Sequence, residues 1–262
     1  MSTTESGHAR NTANFEQLVT MLASYGNNYS PSRPELSITG LLAMLQNSRQ
    51  ALDDVRNSFS TWKNATNARE IAFDPLGKFS SRLLNALIAS GATKQTVNDL
   101  RTRVRKMQGV RAKPIIRRSE EEEQPASLVG ENANASEEQQ ETTPRHRSVS
   151  QRSFDSRMDH FDSMIGLLSI EPLYAPNEQE FQVNTLQAQL VQLRTLNTAV
   201  INANAALFNH RIARNNILYN ETDGMLALVR GAKAYVKAKF GQASPEFVQL
   251  SRLVFVRVVP KR

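Results

Sequence analysis

Apolar residues recur along this chain in alternating steps of four and three. Positions 41, 45, 48, 52, 55, 59 and 62 read Leu, Leu, Ser, Leu, Val, Phe and Trp, and positions 186, 190, 193, 197, 200, 204 and 207 read Leu, Leu, Leu, Asn, Val, Asn and Leu. That spacing keeps one seam on a slightly underwound helix, as in coiled coils and long bundles. Neither glycine nor proline interrupts residues 41–74 or 181–223. The pattern therefore predicts one long helix over Leu36–Phe73 and another over Phe181–Tyr219, each longer than about 50 Å at ~1.5 Å per residue. The alternative is a helical hairpin, turning near Lys63–Asn67 and Asn202–Asn204, where asparagine accumulates.

Shorter helices flank each long one. Phe15, Leu18, Val19 and Leu22 share a face over about 13–24, and Phe161, Met164, Ile165 and Leu168 do the same further on. A Tyr-x-Pro connection follows each, at Tyr29-Ser30-Pro31 and Tyr174-Ala175-Pro176, because proline lacks the amide hydrogen that a helix interior needs. Asp74-Pro75 reads as an N-cap acid with proline at the first helical position, and Thr222-Asp223-Gly224 as its counterpart. These start third helices over about Leu76–Ser90 and Met225–Phe240. Fourth helices begin after Thr93 and at Ser244-Pro245-Glu246, and the second of them runs into Leu253–Val259, a segment equally readable as a short strand.

The two sets of elements align. At a shift of 145, Tyr29, Leu41, Leu45, Val55, Ala68 and Arg69 meet Tyr174, Leu186, Leu190, Val200, Ala213 and Arg214. Phe15 meets Phe161 at 146, and Val97, Leu100 and Val104 meet Phe247, Leu250 and Val254 at 150. Such order predicts an internal duplication, with residues 13–111 as one helical repeat and 153–262 as the other. Between them, 112–152 is rich in Glu, Pro, Ser, Asn and Gln with few large apolar residues, a composition that cannot offset its ordering entropy and predicts a disordered linker. Ser148 and Ser150 lie there and Ser153 just beyond, among Arg145, Arg147 and Arg152, and are read as part of a solvated tail. Residues 1–12 are polar and are likewise expected to be disordered. The fold expected is all-α: two pseudo-symmetric repeats, each with one long central helix and three shorter ones, packed as an elongated bundle around a pseudo-twofold axis.

Composition narrows the chemistry. With no cysteine, disulfides, thiolate catalysis and cysteine-ligated metals are excluded. No window approaches the roughly 20 apolar residues of a membrane span, and the first residues lack a signal-peptide core, so a cytoplasmic protein is expected. The histidines are His8, His146, His160 and His210, and none is paired at metal-ligand spacing. No phosphate-binding glycine loop, Gly-x-Ser-x-Gly elbow or paired-carboxylate site can be assembled. No enzyme and no cofactor are expected.

Charge is distributed unevenly within a net +7. From Gly77 to Arg111 the cations include Arg101, Arg103, Arg105 and Lys106 against the single acid Asp99; from Gly224 to Arg262 they include Lys233, Lys237, Lys239, Arg252 and Arg257 against Glu246. These are the candidate residues for binding a polyanion such as nucleic acid, although no helix-turn-helix or aromatic stacking platform accompanies them. Arg69 and Arg214 fall on the seam itself, where a polar residue usually sets register. They are expected to be structural, pairing with Glu70, Asp74 or Glu221; the alternative is that they bind an anion.

Several short motifs carry a resemblance. Asn14-Phe15, Tyr29-x-Pro31 and Asn67-Ala68-Arg69-Glu70 precede the linker. Ser153-Phe154-Asp155, Tyr174-Ala175-Pro176-Asn177-Glu178, Ala213-Arg214-Asn215 and Tyr235-Val236-Lys237 follow it. In these the chain resembles a group of uncharacterised bacterial proteins built from two helical units joined by a charged linker. The resemblance implies a fold and no activity. The function expected is a non-catalytic scaffold or interaction module, with an unknown protein partner or self-association; the alternative is a nucleic-acid-associated, polyanion-binding protein.

Overall fold

Long amphipathic periods do become helices throughout, and in the computed structural model, which describes residues 3–110 and 153–258, no strand occurs among the described residues. In chain order the helices are α1 (Thr3–Ser24), α2 (Ile38–Phe73), α3 (Leu76–Ala89), α4 (Lys94–Gln108), α5 (Phe154–Ile170), α6 (Val183–Tyr219), α7 (Met225–Phe240) and α8 (Pro245–Ser251). Both α2 and α6 are continuous, so the hairpin alternative falls. The predicted linker, 112–152, lies outside the described residues.

The helical residues form two compact units, and these do not follow the two sequence halves. One unit takes its residues from 1–70 and 196–262, the other from 71–195. In the first, Phe15, Leu18 and Leu22 of α1 and Leu41 and Leu45 of α2 pack with Leu218 of α6, Leu228 and Val236 of α7 and Leu250 of α8. In the second, Leu83 and Leu87 of α3 and Leu100 and Val104 of α4 pack with Phe161, Met164 and Leu168 of α5 and Leu186 and Leu190 of α6. Each core thus joins the opening helices of one half to the closing helices of the other. An α-helix buries one stripe, and here part of what covers it comes from far along the chain.

Local chemistry explains most helix ends. Thr93 caps α4 by accepting from the Thr96 amide at 3.2 Å, and Ser153 caps α5 by accepting from Ser156 at 3.1 Å. Ser244 accepts from Phe247 at 3.1 Å, with Pro245 at the first position of α8. Two expected caps do not form. Pro75 itself, in helical conformation, precedes α3, and Gly224 precedes α7, neither start being held by a side-chain cap. Asp74 and Asp223 are instead exposed turn residues.

The Tyr-x-Pro connections have matching geometry. Tyr29 donates its hydroxyl to the Leu36 carbonyl at 2.7 Å, and Tyr174 donates to Phe181 at 2.9 Å. Both accepting residues end a 3-10 turn, Pro34–Leu36 and Gln179–Phe181, immediately before a long helix. Burial, reinforced by Tyr235 and by Glu178 respectively, pushes both phenols up to about 12.

Two sequence expectations about the chain ends are corrected. Residues 1–12 are not disordered as a whole, because α1 begins at Thr3 and buries His8, Asn11 and Thr12. The Leu253–Val259 segment has no regular secondary structure from 253 to 258 and forms no strand there. It lies along α1: Asn11 donates to the Val256 carbonyl at 2.6 Å and accepts from the Val256 amide at 3.1 Å, while Asn14 donates to the Val254 carbonyl at 2.7 Å. Side-chain amides thereby satisfy backbone groups that a neighbouring strand would otherwise have taken.

Candidate interaction surfaces

Arg230 and Lys233 of α7 and Arg257 beyond α8 gather around a cleft of about 670 Å³ in the first unit. Its lining includes Tyr219, Glu221, Arg230, Lys233, Phe255 and Arg257. Lys233 donates to the Leu253 carbonyl at 2.7 Å and stands 5.4 Å from the Phe255 ring centroid. Burial lowers its pKa, so an arriving anion would restore part of the solvation that the ammonium has lost. Arg257 is engaged with Glu221 at 3.3 Å in an exposed ion pair. Behind the cleft, the Tyr219 hydroxyl is 2.6 Å from His8 Nδ1 and accepts from Asn11 at 3.2 Å. Lys237 instead lies 5.8 Å from the Phe247 ring, and Lys239 and Arg252 are exposed away from the lining.

The α4 cations belong to the other unit. Arg101 donates to Asn98 at 2.7 Å, Arg103 to Ser163 of α5 at 2.7 Å, and Arg105 to Thr102 at 3.2 Å, while Lys106 is exposed. Burial, then the Lys106 charge, lowers the pKa of His160 on α5, with Asp159 opposing. The basic residues found by composition are therefore divided between units, and Arg103 is spent partly on holding its own unit together.

Arg69 and Arg214 occupy different surroundings despite their matched positions. Arg69, half-buried, donates from a terminal nitrogen to Asn197 Oδ1 at 2.9 Å, which links the seams of α2 and α6 within the first unit. Arg214 is only 4% exposed and donates to Asn215 Oδ1 from Nε at 3.2 Å and from a terminal nitrogen at 3.0 Å. Glu221, expected as a partner for these arginines, pairs with Arg257. The seam prediction holds at Leu186, Leu190, Leu193, Asn197, Val200 and Leu207, all buried, but fails at Asn204 and Phe59, which are exposed.

A second stripe lies beside the seam. One residue on from the seam, and so about 100° round the helix, Ile201, Ala205, Phe208 and Ile212 repeat in steps of four, three and four. Ile201, Phe208 and Ile212 are 59%, 62% and 53% exposed. From Leu196 to Asn209 no residue is charged, although a solvated helix face normally carries charge. That run was visible in the sequence and is the signal that would have found the stripe.

Among the described residues no group of three His, Asp or Glu side chains could hold a metal ion, and no helix is long and apolar enough to cross a membrane. Compared with protein-family models, curated proteins and solved structures, the chain matches none.

Proposed function

We propose that the chain is a non-catalytic helical scaffold that engages a protein partner through the lateral face of α6. The observation that carries this is the charge-free run from Leu196 to Asn209 with Ile201, Phe208 and Ile212 exposed along one line. Single exposed apolar residues are ordinary, whereas an aligned stripe without charge is a contact surface. A photo-crosslinking amino acid placed at position 208 of the full chain tests it in the native cell. A discrete cross-linked protein product is expected, absent when the probe sits at the exposed Gln192 on α6; no product at 208 would remove the reading.

The two halves of the scaffold are read as copies of one unit related by a pseudo-twofold axis. In support, the Tyr29 and Tyr174 hydroxyls reach carbonyls seven residues on in both halves, at Leu36 and Phe181. Each core also draws opening helices from one half and closing helices from the other.

A second reading, polyanion binding, is favoured by the cleft around Arg230, Lys233 and Arg257. Binding of random duplex or single-stranded DNA would then weaken steeply with salt. Replacing Arg230 and Lys233 by Gln would lower the slope of log affinity against log salt by about 1.4–1.8, according to strand type. Gel shifts across a salt series that show no binding, or an unchanged slope in the double variant, count against it.

A further inference from the structure

The stripe on α6 carries information about what covers it. We infer that its occupant is a second copy of this chain, with the two α6 helices antiparallel across a twofold axis lying between Ala206 and Leu207. This rests on the reading of the α6 face as a contact surface. In that register Ile201 opposes Ile212 of the second copy, and Ala205 opposes Phe208 of the second copy. Each pairing is repeated in reverse by the symmetry. The large ring thus meets the smallest stripe residue, as close packing between helices requires. A parallel pairing sets Phe208 against itself and leaves Ala205 facing a void.

Charge selects the same arrangement. The arginines and histidine of α6 are Arg194, His210, Arg211 and Arg214. In the antiparallel register His210 and Arg211 fall opposite Ala203 and Asn202, Arg194 is already paired with Asp162, and Arg214 is buried within its own unit, so no cation meets another. A parallel pairing brings Arg211 against Arg211. For a chain with net charge +7, self-association needs a face free of like-charge opposition, and Leu196–Asn209 is such a face.

Sedimentation velocity on the full chain, from low micromolar to submillimolar concentration, tests the proposal. Wild type is expected to pass from monomer to dimer. Ala205→Phe crowds two Phe pairs and Phe208→Ala opens two gaps, so each should weaken association by about tenfold or more. The double variant Ala205→Phe/Phe208→Ala exchanges ring and gap and should recover to within about threefold of wild type. Phe208→Lys, at an exposed position, should abolish the dimer while far-ultraviolet circular dichroism stays unchanged. A wild-type monomer at every concentration overturns the proposal, and so does a double variant no better than either single change. If the probe at 208 then captures a different protein, the contact-surface reading survives and self-association alone is lost; if it captures nothing, both are lost.

Discussion

Residues 1–111 and 153–262, produced as separate polypeptides, are expected to be largely unfolded and to regain helix when mixed in equal amounts. The reason lies in who packs with whom. The first fragment keeps Phe15, Leu18, Leu22, Leu41 and Leu45 but loses Leu218, Leu228, Val236 and Leu250, which complete that core. It also keeps Leu83, Leu87, Leu100 and Val104 while losing Phe161, Met164, Leu168 and Leu186. Each large side chain left in water forfeits about 1.5–3 kcal/mol. Four from each core, about 12–24 kcal/mol together, match or exceed the ~5–15 kcal/mol that keeps a domain folded. Circular dichroism of each fragment alone and of the mixture reads the result directly. Two fragments that are each fully helical and melt cooperatively would show that the halves fold independently, contrary to the packing.

Arg69→Met should lower the free energy of unfolding by about 1.5–3 kcal/mol, the usual contribution of a hydrogen bond to a charged group. Arg69 donates to Asn197 Oδ1 at 2.9 Å across two helices, and Asn197 is buried. Solvent therefore replaces that donor poorly. Asn197→Leu removes the acceptor, and the double variant should cost less than the two single losses added together, by about 0.5–3 kcal/mol. Urea unfolding of the four proteins measures the coupling. Any DNA binding by Arg69→Met should remain at the wild-type level. Strict additivity, or unchanged stability with lost DNA binding, would move Arg69 from the seam to a ligand site.

Periodicity made the long helices and most core residues of α1, α5 and α6 readable in advance, because Phe15, Leu18, Phe161, Met164, Leu186 and Leu190 are apolar where the helix turns inward. What it missed has identifiable causes. His8, Asn11 and Thr12 continue the buried face of α1 in the right spacing, but as polar residues they register as solvent-facing. Their burial is possible because Asn11 bonds the backbone of Val256, some 245 positions away in sequence, and no local pattern reports that partner. Asp74 looked like a cap because Asp before Pro usually is one, yet Pro75 is already helical in its backbone angles and leaves the acid outside. Arg69 donates to the amide oxygen of Asn197 and Arg214 to that of Asn215, partners that charge alone does not announce. Composition located the cations correctly but could not say that Lys233 faces a cleft while Arg103 ties α4 to α5.

The order in which the units draw on the chain bears on synthesis at the ribosome. Every residue of the 71–195 unit has been polymerised when translation reaches Thr195, whereas the other unit needs both its earliest residues and those up to Leu253. At about 5–20 residues per second, α1 waits roughly 3–12 s after that point with Phe15, Leu18 and Leu22 uncovered. The nascent chain therefore emerges with its interior unit complete and its first helix last to be sheltered, which makes the amino-terminal apolar face the segment most exposed to chaperones and to premature association.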